Sequence, residues 1–313
     1  MRCHVEEPHQ SFDERIGTAA AEVGLLDVAL RGLDEDEAVL NELLTAEPQN
    51  PRLHRKLALV YQFRAHAYYS DTVPSLGDAA QALPSAKQYL EVARQMTQSD
   101  PANRAAKFSQ ASALFQISLP LREFDPPAAV QMAEDSVRMF DEMIASGKPT
   151  YLVLSSRVYA LLRLGEAQLK AGRLAEAGRT ARLALDDDRA LAPTTAADAE
   201  SRAMWIRVLM LAGHAEAANR NPRSGERLLL QARDEAAQFA DSSELAHLVP
   251  LASAEKALGD FYISRAKTEE ARFCYQRLVE LWDHFPETND YVARQRVASK
   301  ELLASLRSRN PLR

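Results

Sequence analysis

Seven histidines, at positions 4, 9, 54, 66, 214, 247 and 284, are the first residues that could carry metal or proton chemistry. No two lie three or four apart, so no single helix can present a chelating pair. His54 and His66 share one helical stretch but would sit ~18 Å apart at 1.5 Å of rise per residue, which reads as packing or surface. Cys3, His4 and His9 lie in a polar N-terminal stretch with no fixed geometry to offer a metal. The acidic neighbours Glu269 and Glu270, and Asp186 and Asp187, diverge on a helix or fall in a linker. General acid–base work needs two carboxyl groups that face one substrate. Cys274 sits within an amphipathic stretch and reads as an inert core thiol. No Gly-x-Gly-x-x-Gly, Gly-x-x-x-x-Gly-Lys, His-Glu-x-x-His or Gly-x-Ser-x-Gly pattern occurs. The expectation is a chain without a catalytic residue, metal site or cofactor.

The elements that would position any site are helices. Of 313 residues only 11 are glycine, while 53 are alanine, and Leu, Glu, Arg and Gln are plentiful. The hydrophobic share of 46% can fill a continuous core, and with 7% aromatics that core is mainly Ala and Leu. The net charge of −6 is unevenly spread: residues 1–50 carry −9 and the rest +3. A near-neutral body has no electrostatic footprint for nucleic acid. No apolar run approaches the ~18 residues of a membrane span, and the polar start MRCHVEEPHQSFDE lacks the apolar stretch of a signal peptide. A cytoplasmic location follows as the expectation.

One stretch sets the architecture. Between Leu258 and Leu278, Gly259 and Ala271 are small residues twelve apart, with Tyr262 and Tyr275 beside them and a polar turn over 264–268. The arrangement predicts two antiparallel helices that cross closely at the small residues. Leu164, Gly165 and Ala177 repeat it nearly residue for residue, and Leu57, Ala58 and Tyr61 do so more loosely. Periodicity alone predicts further helical pairs over 13–46, 103–145 and 195–239. In the first, Ile16, Ala19, Ala20, Val23, Leu26 and Ala29 form one face and Gly32 breaks the helix. Prolines and turn residues predict loops at 69–84, with Ser85 capping the next helix, and at 119–127. A linker is expected at Asp186–Asp188 and an insertion at 219–225. A last helix, Asp290 to Leu306, with Val292, Val297, Leu302 and Leu306 apolar, would cap the array. The expected domains are a disordered terminus 1–12, a solenoid 13–286 with inserted loops near 69–84 and 219–225, and a capping helix and tail 287–313.

This spacing resembles the tetratricopeptide repeat. The resemblance implies an all-α, right-handed superhelical solenoid of about six helix-turn-helix pairs plus a C-terminal capping helix. The segments LHRKLALVYQ and PSLGDAAQAL, with Leu76, Gly77 and Asp78, further resemble the repeat tails of bacterial receptor serine/threonine kinases of the acidobacterial type. The kinase itself is absent: there is no Gly-rich loop, Val-Ala-x-Lys, His-Arg-Asp or Asp-Phe-Gly. A detached tail of that kind would lie outside the cytoplasm.

In such repeats the first helix of each pair faces a concave groove. The groove candidates implied here are Tyr159, Arg163, Glu166 and Lys170 in the fourth unit, and Lys256 and Asp260 in the sixth. Arg55, Gln62 and Phe63 come from the second unit, and Arg207 and His214 from the fifth. The repeat family's carboxylate clamp needs Asn at the position held here by Leu59, Glu166 or Asp260, so chaperone-tail binding is not expected. The expected function is a non-catalytic interaction module holding a protein or peptide in that groove, as a scaffold or sensor arm in bacterial signalling, and such an array also allows a homodimer. The alternative is a small-ligand sensor whose pocket is closed by the 69–84 loop.

Overall fold

The structure is a computed structural model and describes residues 24–147, 149–195, 199–240, 244–286 and 289–308. Ile16, Ala19, Ala20 and Val23, the 1–12 terminus with Cys3, His4 and His9, and the tail 309–313 lie outside the described residues. Among the described residues the chain is all helical: α1 Leu26–Ala46, α2 Pro51–Tyr68, α3 Ala79–Ser99, α4 Arg104–Leu121, α5 Pro126–Ala145, α6 Tyr151–Lys170, α7 Leu174–Thr195, α8 Ala199–Ala218, α9 Pro222–Phe239, α10 Leu245–Ser264, α11 Thr268–His284 and α12 Asp290–Ser308. Each packs against the next in sequence, and α4, α6, α8 and α10 also pack on one another as an inner layer. The result is a helical-repeat solenoid, as the spacing predicts.

Local sequence explains where the helices begin. Asn50, Asp78, Asn103, Asp125 and Thr150 each accept hydrogen bonds from first-turn amides of α2 to α6. Pro51 and Pro126 occupy the first helical position, where a missing N–H leaves no bond unmade. Several expected breaks are absent. Gly32 lies inside α1, Pro84 inside α3 and Pro120 inside α4. The 69–84 loop therefore shortens to 69–78, with Asp78 rather than Ser85 as the cap, and the 119–127 loop shortens to 122–125. Asp186–Asp188 lie inside α7, and the 219–225 insertion is a three-residue turn. Val297 is exposed rather than packed.

That last turn reveals a shared register. The hairpins α6–α7, α8–α9 and α10–α11 each turn through a left-handed residue, at Gly172, Arg220 and Ala266. Each turn is closed by an amide bonding back five residues: Arg173 to Gln168, Asn221 to Glu216 and Lys267 to Tyr262, at 2.8 to 3.0 Å. Seven residues before each left-handed residue is a glycine: Gly165, Gly213 and Gly259. A Cβ on Gly213 or Gly225 would lie within 3.1 Å of the other's carbonyl oxygen, and one on Gly259 would overlap the Tyr275 ring. Ala177 and Ala271 are fully buried. Small residues thus hold these crossings at backbone distance.

The array closes on itself. Leu26 and Leu30 of α1, Ala67 of α2 and Leu76 of the 69–78 loop share one core with Leu245, Leu248 and Val249 of α10, Trp282 of α11, and Tyr291 and Val292 of α12. Gly24 lies against Asn289, which caps α12 by accepting from the Val292 amide at 2.9 Å. Arg296 of α12 reaches back to the carbonyls of Trp282 and Phe285. The first and last described helices therefore contribute to one core with α10 and α11.

Candidate functional site: an arginine-lined pocket closed by a loop

The loop between α2 and α3 is a pinned excursion. The Ser70 hydroxyl accepts from the Thr72 and Val73 amides, and Ser75 donates to the Ser70 carbonyl at 2.9 Å. The Leu76 amide bonds the Ala67 carbonyl and the Asp78 amide the Tyr68 carbonyl, both at 2.8 Å. The Leu-Gly-Asp motif has three structural jobs here. Leu76 joins the closing core, Gly77 takes φ +74°, and Asp78 caps α3. Held this way, the loop projects Asp71 inward.

Asp71 meets the ends of three arginines. Arg163 of α6 grips it with both terminal nitrogens, at 2.6 and 2.7 Å. Arg207 of α8 donates to it at 2.8 Å, and Arg122, at the end of α4, stands 3.9 Å away. Glu166 completes the cluster, accepting from Arg122 at 2.5 Å and Arg163 at 2.9 Å, with Arg207 at 3.5 Å. Beside it, Glu123 accepts from Lys170 at 2.9 Å and from the Tyr69 hydroxyl at 3.3 Å. Arg163 and Arg207 are buried, with 6% and 7% of their surface exposed, whereas the Asp71 and Glu166 side chains keep 32% and 22%.

Arg122 also pairs with Glu123 at 3.3 Å, so three guanidinium groups and Lys170 stand against the carboxylates of Asp71, Glu166 and Glu123, and one positive charge is left over. Two buried donors, Nε of Arg163 and Nη1 of Arg207, have no acceptor. Burial opposes ionisation of Asp71, but Arg163 and Arg207 outweigh it and hold the carboxyl far below its usual range. Glu166 is lowered in the same way, its burial overcome by Arg122 and Arg163. Arg207 is lowered, chiefly by burial and partly by Arg163, against the opposing pull of Asp71. His66 lies nearby on α2. Burial first and Arg163 second push it down to about 4, so it is neutral near pH 7.

The cluster forms one side of a pocket of about 590 Å³ between the loop and helices α4, α6, α8 and α10. Leu169, Ala203, Met210, Val249 and Pro250 supply apolar lining, and Lys170, His214, Lys256 and Asp260 add polar groups. A volume between about 300 and 1,000 Å³ with apolar walls and a few placed charges suits a small ligand. Burial lowers the His214 ring, and Lys256 is paired with Asp260 at 2.6 Å.

Six of the eleven residues expected in the groove line this pocket: Glu166, Lys170, Arg207, His214, Lys256 and Asp260. Arg163 does not line it but grips Asp71, which does. The other four lie elsewhere. Arg55 is exposed on α2, Gln62 is half-buried there, and Phe63 packs on the N-terminal core. Tyr159 is stacked on Phe115, with ring centroids 6.4 Å apart and planes at 14°. Asp71, Arg122 and Glu123 were not legible as site residues, because the first lies in the inserted loop and the others in LREFD, which reads as a Pro-flanked connection. The long polar insertion after α2, over 69–84, is a sequence signal for Asp71 alone.

The arrangement can hold and neutralise an anion. The arginines hold its Asp71 and Glu166 carboxylates ionised, and burial keeps the His66 and His214 imidazoles neutral near pH 7. Cys274, in another core, is buried and its thiol is pushed up to about 11. Among the described residues no cluster of three or more metal-ligating side chains occurs, and no helix is long and apolar enough to cross a membrane.

No protein-family model matches the chain, and no curated protein is similar to it in sequence. Among solved structures, BtubC (BKLC) from P. vanneervenii is 14% identical with a TM-score of 0.48, over 74% of this chain and 92% of that one. Yeast Tom70 is 11% identical with a TM-score of 0.35, over 99% of this chain and 68% of that one. Likeness at this level transfers neither fold nor function, and the helical-repeat architecture rests on the chain's own helix pairing and crossings.

Proposed function

We propose that the chain is a non-catalytic sensor module that holds a small anionic ligand in the pocket between its inner helices and the 69–78 loop. The observation that carries this reading is the buried arginine cluster, which with Lys170 holds a surplus positive charge at the wall of a ligand-sized cavity. The loop sets Asp71 and Thr72 into the wall of the pocket, which favours a small molecule over a peptide laid along the groove. A planar, two-toothed grip by Arg163 on Asp71 marks the site as suited to carboxylates, which match guanidinium in plane. A sensor arm in a signalling protein is the cellular role that fits the resemblance of the α2–α3 segment to receptor-kinase tails.

A thermal-unfolding screen against small mono- and dicarboxylates, with phosphate and chloride as comparators, tests the proposal. At least one carboxylate should raise the melting temperature saturably. Lys170→Glu combined with Lys256→Glu, which reverses charge at the rim, should weaken that response. A chain that no carboxylate stabilises beyond the chloride control is not a carboxylate-binding module.

A further inference from the structure

We infer that Asp71 is a resident substitute for the ligand's own carboxylate, and that a small carboxylic acid entering the pocket exchanges with it on Arg163 and Arg207 and frees the 69–78 loop. This inference rests on the proposed function and adds how the site is kept when empty and what binding changes. Of the two carboxylates on Arg163 and Arg207, Glu166 is part of a helix, whereas Asp71 is carried by a loop. Only two backbone hydrogen bonds join that loop's far end to α2, those of the Leu76 and Asp78 amides. Displacing Asp71 therefore moves a short segment, while displacing Glu166 would require α6 to move.

Exchange also suits the charges. An incoming carboxylate replaces the one that leaves, so the buried arginines never face an uncompensated state, which is the costly alternative for a buried charge. Asp71 keeps 32% of its side-chain surface accessible and lines the pocket with Arg122 and Arg207, so a ligand in the pocket lies beside the carboxylate it would replace. Nη1 of Arg207 and Nε of Arg163 are buried donors that Asp71 does not satisfy. A second carboxylate on the ligand would offset the surplus positive charge, which makes a short dicarboxylate a better competitor than acetate.

Release of the loop reaches beyond the pocket. Leu76, five residues after Asp71, belongs to the core that joins α1 to α10, α11 and α12. An equilibrium with Asp71 seated or replaced would thus bias how firmly the two ends of the array are held together. A ligand shifts such an equilibrium only by its differential affinity for the two states.

Chemical rescue tests the exchange. Asp71→Ala removes the resident carboxylate and should melt several degrees below the wild type, and millimolar acetate should restore much of that loss saturably, where sodium chloride at equal ionic strength does not. The wild type should need at least tenfold more acetate for a comparable shift, since its own carboxylate competes. If Asp71→Ala does not fold, Asp71→Asn carries the same titration. In parallel, succinate at saturation should speed hydrogen exchange at the Leu76 and Asp78 amides of the wild type. Equal acetate response in wild type and variant, with both amides still protected under succinate, overturns the exchange while leaving the pocket as a carboxylate site. Absence of any carboxylate response in either protein removes both readings.

Discussion

At the residue scale, the chemistry of this chain is concentrated in a few buried charges whose protonation is set by each other. His66 is neutral in the fold, pushed to about 4 from an ordinary 6.5 by burial, with Arg163 adding to the shift and Asp71 and Gln116 opposing it. A base whose folded pKa is depressed stabilises above its unfolded value and loses that contribution as pH falls through the folded one. The contribution of this group should therefore decline between about pH 6.5 and 4, by on the order of 3 kcal/mol. Asp71, lowered by Arg163 and Arg207 against its burial, keeps its contribution until still lower pH and so adds nothing to that window. Asp188 acts oppositely. Burial and then Asp187 push it up to about 6, so its contribution is full below its ordinary 3.8 and fades as pH rises through 6. Because Asp188 opposes His66 in this window, the comparison is between proteins: in urea unfolding from pH 6.5 to 4, His66→Gln should lose less stability than the wild type. A variant with an unaltered slope contradicts the assignment. Arg207→Gln should cost somewhat below the ~3–5 kcal/mol typical of breaking a buried pair, because the Asp71 side chain keeps 32% of its surface accessible. These roles were only partly legible in the sequence. Arg163, Glu166 and Arg207 were found because they recur on one face of regular helices, whereas Asp71 depends on how a loop folds back across the array, which no local periodicity encodes.

At the element scale, the hairpin turns supply predictions of opposite sign. Ala266 adopts φ +56° and Arg220 φ +67°, where their counterpart Gly172 has φ +74°. A side chain in this region costs roughly 1 kcal/mol, so Ala266→Gly should stabilise the chain by a few tenths to 1 kcal/mol. Gly225→Leu should destabilise by ~1–3 kcal/mol, since a Cβ there lies 2.7 Å from the Gly213 carbonyl oxygen and 2.9 Å from the Ala217 Cβ. Thermal unfolding of the two variants should move in opposite directions. A stabilised Gly225→Leu would mean that α8 and α9 do not cross there. The α6–α7 and α10–α11 pairs were legible because glycine or alanine stands at each crossing position. The α8–α9 pair was obscured because Arg220 holds the left-handed position and Asn221-Pro222 looks like an insertion. Prolines misled for a related reason: Pro84 and Pro120 lie inside helices, near one end of each, where few internal bonds depend on them.

At the scale of the whole molecule, the meeting of α1 with α10, α11 and α12 turns a linear array into a closed one. Stacked repeats normally communicate only with their neighbours. Here Leu26, 1% exposed, shares a core with Trp282 and Val292 at the far end of the chain. Leu26→Ala should cost ~2–5 kcal/mol, and it should raise hydrogen exchange in α12 as well as in α1. Exchange confined to α1 would show that the ends are independent. Sequence reading could not anticipate this closure, which depends on the summed small rotations between successive pairs. The 69–78 loop, the end of α4 and helices α6, α8 and α10 wall the inner pocket, and the central proposal is that this pocket takes a small carboxylate. Calorimetric titration of succinate into the wild type, Arg207→Gln and the exposed control Arg55→Gln tests this most directly. Saturable one-site binding to the wild type and Arg55→Gln, at least tenfold weaker in Arg207→Gln, is the predicted result. No saturable binding to the wild type, or equal affinity in all three proteins, would contradict it.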